Sequence, residues 1–86
     1  MKPSVYILKL DDGSYYIGST RDLKRRIAEH RKGLKASTRF SKNPQIVFFQ
    51  NFETYHQARI IEIKLKSYKS RKVIEKIIKE GKINKL

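Results

Sequence analysis

The chain contains no cysteine, which excludes a disulfide framework and a thiolate zinc site and makes a cytoplasmic location the simplest expectation. Nor does it contain a long apolar run. The opening MKPSVYILKL is cut off by Lys9, Asp11 and Asp12, too early for a signal-peptide core or a membrane span. Acidic residues are scarce as well: 8 Asp and Glu stand against 21 Lys and Arg, a formal net charge of +13 over 86 residues. A field of that sign attracts polyanions, and nucleic acid is the expected partner class. An anionic membrane surface is the weaker candidate and no membrane partner is expected, because the cations are interleaved with core-like apolar residues instead of lining one face of a single helix. The patterns HExxH, GxxxxGK(S/T) and GxSxG are all missing, which removes the common metalloprotease, phosphate-loop and serine-hydrolase readings. No internal repeat, low-complexity tract or linker interrupts the chain, so residues 1–86 are read as one domain, long enough to bury roughly 60–65% of its unfolded surface.

What is present begins with two short runs of β-branched and aromatic residues, Val5 to Leu10 and Tyr15 to Gly18, flanking Asp11-Asp12-Gly13-Ser14. This reads as a β-hairpin. A two-residue Asp12-Gly13 turn would put Tyr6 and Tyr16 on opposite faces. A three-residue Asp11-Asp12-Gly13 loop, with Gly13 left-handed in a bulge, pairs Leu10 with Ser14 and makes the two tyrosines diagonal neighbours on one face. The glycine in third place favours the longer loop. Asp22 caps a helix to about Lys32, with Leu23, Ile27 and His30 on one stripe and Gly33 as its stop. The segment GLKASTRFSKNP has neither period and reads as an exposed basic loop. QIVFFQNF is a third strand, and Thr54 with Gln57 forms a capping box for a helix burying Ala58, Ile61, Leu65 and Tyr68, with Glu62 on that face. Ser70 to Glu80 is a last amphipathic helix with Val73, Ile74, Ile77 and Ile78 inward and Gly81 after it, and the closing KINKL reads as frayed. The fold class is therefore α/β (α+β): a small three-stranded, mostly antiparallel sheet flanked by about three helices.

The residues able to do chemistry are scattered: Tyr6, Tyr16, Arg26, His30 and Glu62. Taken singly, each has a plainer explanation. The tyrosines suit half-buried strand positions, Arg26 a solvated helix charge, His30 a core-edge histidine bonded to backbone, and Glu62 an ion pair with Lys66 four residues on.

Taken together, their spacing resembles a known family. SVY, ten residues from Tyr6 to Tyr16, YIG, an arginine eight after Gly18 and a histidine four after Arg26 resemble the GIY-YIG nucleases. ARIIE followed by KLK is similar to the helix that carries the family's carboxylate, and STR, Pro44 and KSYKSRKVIEKI extend the likeness to small stand-alone members. The resemblance implies that Tyr6 and Tyr16 are the two motif tyrosines, Arg26 the phosphate-facing cation, His30 the position filled by His or Tyr, and Glu62 the metal-binding glutamate. It implies a DNA endonuclease that cuts phosphodiesters with one divalent ion, Mg²⁺ or Mn²⁺, the first tyrosine serving as general base. The chemistry is sensible on its own terms, since a pentacoordinate phosphate gains negative charge that a fixed cation and a metal would stabilise. A tyrosine titrates near 10, so Tyr6 as base would require positive charge beside it. Three departures are visible: Ser4 replaces the first-motif glycine, Ser19 stands where repair-type members have lysine, and no asparagine follows Glu62 in the family's manner.

The expected geometry puts Tyr6 and Tyr16 on one sheet face next to Arg26 and Glu62, with Arg25, Lys35, Arg39 and Lys42 holding the nucleic-acid backbone. DNA is the expected partner, with branched, nicked or single-stranded intermediates as substrates, and sequence preference must come from this small fold or from a protein partner. The alternative is a non-catalytic nucleic-acid-binding module that retains the fold.

Overall fold

Two hydrogen bonds in one loop set the hairpin. In the computed structural model, which describes residues 1–83, the Gly13 N–H closes a turn on the Leu10 carbonyl at 2.9 Å and the Leu10 N–H donates to the Ser14 carbonyl at 2.9 Å. Gly13 has φ +85°, the left-handed conformation that glycine adopts without steric cost. The three-residue loop is thus formed, and strands β1 (Ser4–Lys9) and β2 (Tyr15–Thr20) pair antiparallel with Tyr6 opposite Gly18 and Leu8 opposite Tyr16. Strand β3 (Gln45–Asn51) pairs antiparallel on the other side of β1, giving the order β2-β1-β3.

Alternation along β1 divides the core in two. Val5 and Ile7 point to one face, where they pack with Ala58 and Leu65 of helix α2 (Tyr55–Tyr68) and Ile74 and Ile77 of helix α3 (Arg71–Glu80). Tyr6 and Leu8 point to the other, where Leu23 and Ile27 of helix α1 (Leu23–Arg31) cover them. A bulge between Ile7 and Leu8 shifts β3 by one residue, so Phe48 sits opposite Ile7 while Ile46 sits opposite Leu8. That extra residue sends Phe48 to the α2–α3 side and Ile46 to the α1 side, an assignment that simple alternation would forbid.

Helix ends follow their caps. Asp22 accepts from the Arg25 N–H, Thr54 and Gln57 complete a capping box, and Ser70 accepts from the Val73 N–H, each satisfying donors that the first turn leaves open. Gly33 and Gly81 are left-handed past α1 and α3, and so is Lys69 after α2, with φ 49°.

Three expectations need correction. Tyr68 is 41% exposed, because the buried stripe of α2 runs through Ala58, Glu62 and Leu65. The segment after α1 is not merely a solvated loop: Thr38 and Ser41 are buried, Ser41 Oγ accepts from the Asp11 N–H, and the Asp11 carboxylate accepts from the N–H groups of Lys42 and Asn43. It is pinned to the hairpin turn. Of the closing KINKL, Ile83 packs on the core and donates its N–H to Gln50 Oε1, so the chain is docked at that point; residues 84–86 lie outside the described residues.

Candidate active site

Gly18 makes the room in which the site is built. A Cβ there would stand 2.5 Å from the Tyr6 hydroxyl and 2.6 Å from its Cζ, closer than any real contact, so the phenol lies flat across the glycine of the neighbouring strand. On this face Tyr6, Tyr16 and His30 converge. Ring centroids are 6.3 Å apart for Tyr6 and Tyr16, 5.7 Å for Tyr6 and His30, and 5.1 Å for Tyr16 and His30, the imidazole meeting both phenols edge-on.

His30 is 1% exposed, and its partners are side chains, not the backbone. Its Nε2 lies 2.9 Å from the Tyr6 hydroxyl and its Nδ1 2.6 Å from Thr38 Oγ1. With the proton on Nδ1 directed at Thr38, Nε2 is free to accept from Tyr6. Burial pushes the imidazole below its ordinary pKa, and the Arg26 and Lys35 charges push the same way. His30 is therefore neutral near pH 7 and able to accept a proton.

Tyr6 is fully buried. Burial pushes its pKa well above the ordinary phenol value, Tyr16 and Glu62 add to that, and only Arg26 pulls it down. The resting side chain is a phenol. Arg26 stands half-buried on α1 with Nε 3.1 Å from Glu29 Oε1, and the same oxygen is 3.5 Å from Lys35 Nζ. The Arg26 Nε and Glu29 Oε1 atoms are buried and make no hydrogen bond, so charge holds that pair, while Arg26 also acts on Tyr6 through its charge and a side-chain hydrogen bond.

Glu62 arrives from the opposite layer, which corrects the expectation that it shares the tyrosines' face. Ser19, on the Val5 side of β2, donates its hydroxyl to Glu62 Oε1; Arg59 Nη1 reaches the same oxygen at 2.8 Å, and Lys66 Nζ lies 2.7 Å from Oε2. Glu62 as a residue is 5% exposed. Burial raises its pKa, but the hydrogen bonds from Lys66, Ser19 and Arg59 outweigh that and hold it below the usual carboxylate range. Its charge still adds to the upward push on the Tyr6 pKa.

No group of three or more His, Cys, Asp or Glu side chains suited to a metal ion occurs among the described residues. Among Tyr6, Tyr16, Arg26, His30 and Glu62, the carboxylate is that of Glu62. A single carboxylate is compatible with Mg²⁺, which keeps several waters and takes further oxygens from a phosphate; Arg59 and Lys66 would then have to yield lone pairs they now occupy.

Of the cations expected to hold a backbone, Arg25, Arg39 and Lys42 are exposed, whereas Lys35 is partly engaged with Glu29. Sequence reasoning gave no site role to Thr38, Glu29, Ser19 or Arg59. Glu29 and Arg59 stand at helical spacing from Arg26 and Glu62 and could have been found that way; Thr38 and Ser19 carry no such signal.

Residues 2–77 match the family described as the GIY-YIG catalytic domain. Among similar proteins, the UPF0213 protein of Staphylococcus saprophyticus is 35% identical over 81 residues, covering 93% of this chain and 98% of the relative. That of Haloquadratum walsbyi is 37% identical over 78 residues, covering 90% of this chain and 86% of the relative. The solution NMR structure of the UPF0213 protein BH0048 from Bacillus halodurans shares the fold with a TM-score of 0.61 and 35% identity, over 94% of this chain and 87% of that one.

Proposed function

The chain belongs to the GIY-YIG catalytic-domain family, and from that premise we propose that it is a metal-dependent DNA endonuclease acting on branched, nicked or single-stranded intermediates. The observation that carries the reading is the buried hydrogen bond between Tyr6 and His30, residues 24 apart in sequence, laid over a glycine that has no space for a side chain. A core tyrosine does not require a titratable partner inside the protein.

The residues divide the work as follows. Neutral His30 accepts the Tyr6 proton at Nε2 as the Tyr6 oxygen takes one from the attacking water, and Thr38 holds the imidazole tautomer. Arg26, steered by Glu29, faces the phosphate and stabilises the charge that grows on it. Tyr16 closes the aromatic wall and orients the water. Glu62 would hold the Mg²⁺ or Mn²⁺, and a bound ion would supply Lewis-acid stabilisation of the departing oxygen. Arg25, Arg39 and Lys42 hold the backbone through charge.

A second reading rests on a specific observation: both oxygens of Glu62 are already engaged, Oε1 by Ser19 and Arg59 and Oε2 by Lys66. A module that binds nucleic acid without cutting it would keep that arrangement. The deciding experiment incubates the protein and its Arg26→Ala and Glu62→Gln variants with supercoiled, branched and single-stranded DNA, in Mg²⁺ or in chelator. Nicking by the parent should fall about a hundredfold to a thousandfold in each variant, while gel-shift affinity in chelator stays nearly unchanged. A folded parent that never nicks any substrate establishes the binding module instead.

A further inference from the structure

Three donors converge on Glu62, and they are not alike. Ser19 is buried and donates from β2, so its hydrogen bond to Oε1 belongs to the packed interior. Arg59 and Lys66 reach in from the surface. Each of their side chains is 50% exposed against 7% for that of Glu62, and they stand three residues before and four after it on α2. Oε1 is shared between the Ser19 hydroxyl and the Arg59 guanidinium at 2.8 Å, whereas Oε2 holds the Lys66 ammonium at 2.7 Å.

A divalent ion on Glu62 needs one of those lone pairs. Oε2 is the oxygen that can release one, because its partner is a single point charge on a flexible, half-exposed stem, while Oε1 carries a hydroxyl fixed in the sheet and a planar guanidinium. In the protein alone the exchange is unfavourable: the ammonium loses its anion and is left beside a like-charged ion. Nucleic acid removes that penalty. A phosphate that shares the ion supplies it with further oxygens and gives the displaced ammonium a new anion within its reach.

We propose that Lys66 is a positioning residue that keeps the metal's place on Glu62 Oε2 in the free protein and passes to a substrate phosphate when nucleic acid binds, so that ion and nucleic acid load together. Ser19 holds the carboxylate in orientation throughout. The proposal rests on the reading of Glu62 as the metal-binding carboxylate and adds regulation to it: the engaged state of Glu62 is the resting state of a site that its substrate opens.

The test begins without nucleic acid. Mn²⁺ affinity is measured from the electron paramagnetic resonance signal of the free ion. Lys66→Met keeps the stem and leaves Glu62 with Ser19 and Arg59, so no buried charge is orphaned; folding is checked by circular dichroism. It should bind Mn²⁺ about fivefold tighter than the parent, the release of one half-exposed ion pair together with one repelling charge. Lys66→Arg, which retains the charge, should bind as weakly as the parent, and adding Glu62→Gln to Lys66→Met should abolish the gain. The two ligands are linked, so the increase in affinity for a branched DNA that Ca²⁺ brings, read against chelator at equal ionic strength on strands shown to be intact, should shrink in Lys66→Met by about the same factor.

Equal Mn²⁺ affinity in the parent and Lys66→Met, a gain that survives Glu62→Gln or appears equally in Lys66→Arg, or an undiminished Ca²⁺ effect on DNA would overturn the proposal. Mn²⁺ binding that Glu62→Gln removes and Lys66→Met leaves unchanged overturns it while the nuclease reading stands. The Lys66→Met gain in a protein that nicks no substrate supports it and sinks the nuclease reading.

Discussion

Tyr6 shows how one side chain is held by opposing effects. Burial keeps its proton on and Arg26 favours losing it, so the acceptor at His30 Nε2 becomes the route by which the hydroxyl can be activated. Tyr6→Phe keeps the ring and its packing while leaving that buried nitrogen without its partner. The variant should lose about 1–3 kcal/mol in urea denaturation and at least about a hundredfold in nicking rate; a fully active Tyr6→Phe protein would remove Tyr6 from the chemistry. His30 makes a prediction in pH. Its folded pKa lies below the ordinary 6.5, so between the two values the unfolded chain binds more protons and stability rises with pH. Stability should therefore be lost as pH falls from 6.5 through the folded value, and nicking should survive below pH 6.5 before its acid limb begins. Urea midpoints and initial rates across that window, compared with His30→Gln, check both, since the substitution should flatten the stability slope.

At the scale of elements, the crossing of β1 and β2 at Tyr6 and Gly18 is the tightest constraint. Gly18→Ala would drive a methyl group into the phenol hydroxyl, Cζ and Cε1. The cost should be about 1–3 kcal/mol, read as a lowered urea midpoint. Combining it with Tyr6→Phe should not rescue the fold, because ring carbons at 2.6 and 2.9 Å remain in the way; recovery in the double variant would show that the hydroxyl alone sets the contact. The two helical layers have different tasks. α1 brings Arg26 and His30 to the tyrosines, whereas α2 presents Glu62 from behind the sheet.

For the whole molecule the controlling quantity is charge, +13 in 86 residues. Binding to duplex DNA should weaken steeply with salt: about five phosphate contacts give a log–log slope near −4.5. Arg39 and Lys42 are exposed, whereas Lys35 shares Glu29 with Arg26. Neutralising Arg39 and Lys42 together should thus flatten the slope by up to about two units, and Lys35→Gln should change it less. Equal effects from all three positions would mean that the Glu29 contact does not persist in solution.

The sequence by itself determined the elements and much of the site, because the signals are local. A glycine in third place selects the hairpin loop, a Thr-x-x-Gln box starts α2, and alternation then forces Tyr6 and Tyr16 onto one face. Spacing within a single helix likewise put Arg26 beside His30 and Glu62 on the buried stripe of α2. Only the tertiary structure decided which layer each helix joins, since the apolar stripe of a helix says that it is covered and not by which face of the sheet. That decision placed Glu62 behind β2 with Ser19 and brought Thr38 onto His30 from beyond the end of α1. It also decided the faces of β3, where QIVFFQN has no alternation to read and a single extra residue, set by packing of Phe48 against Ile7 and Ile46 against Leu8, exchanges one side of the sheet for the other.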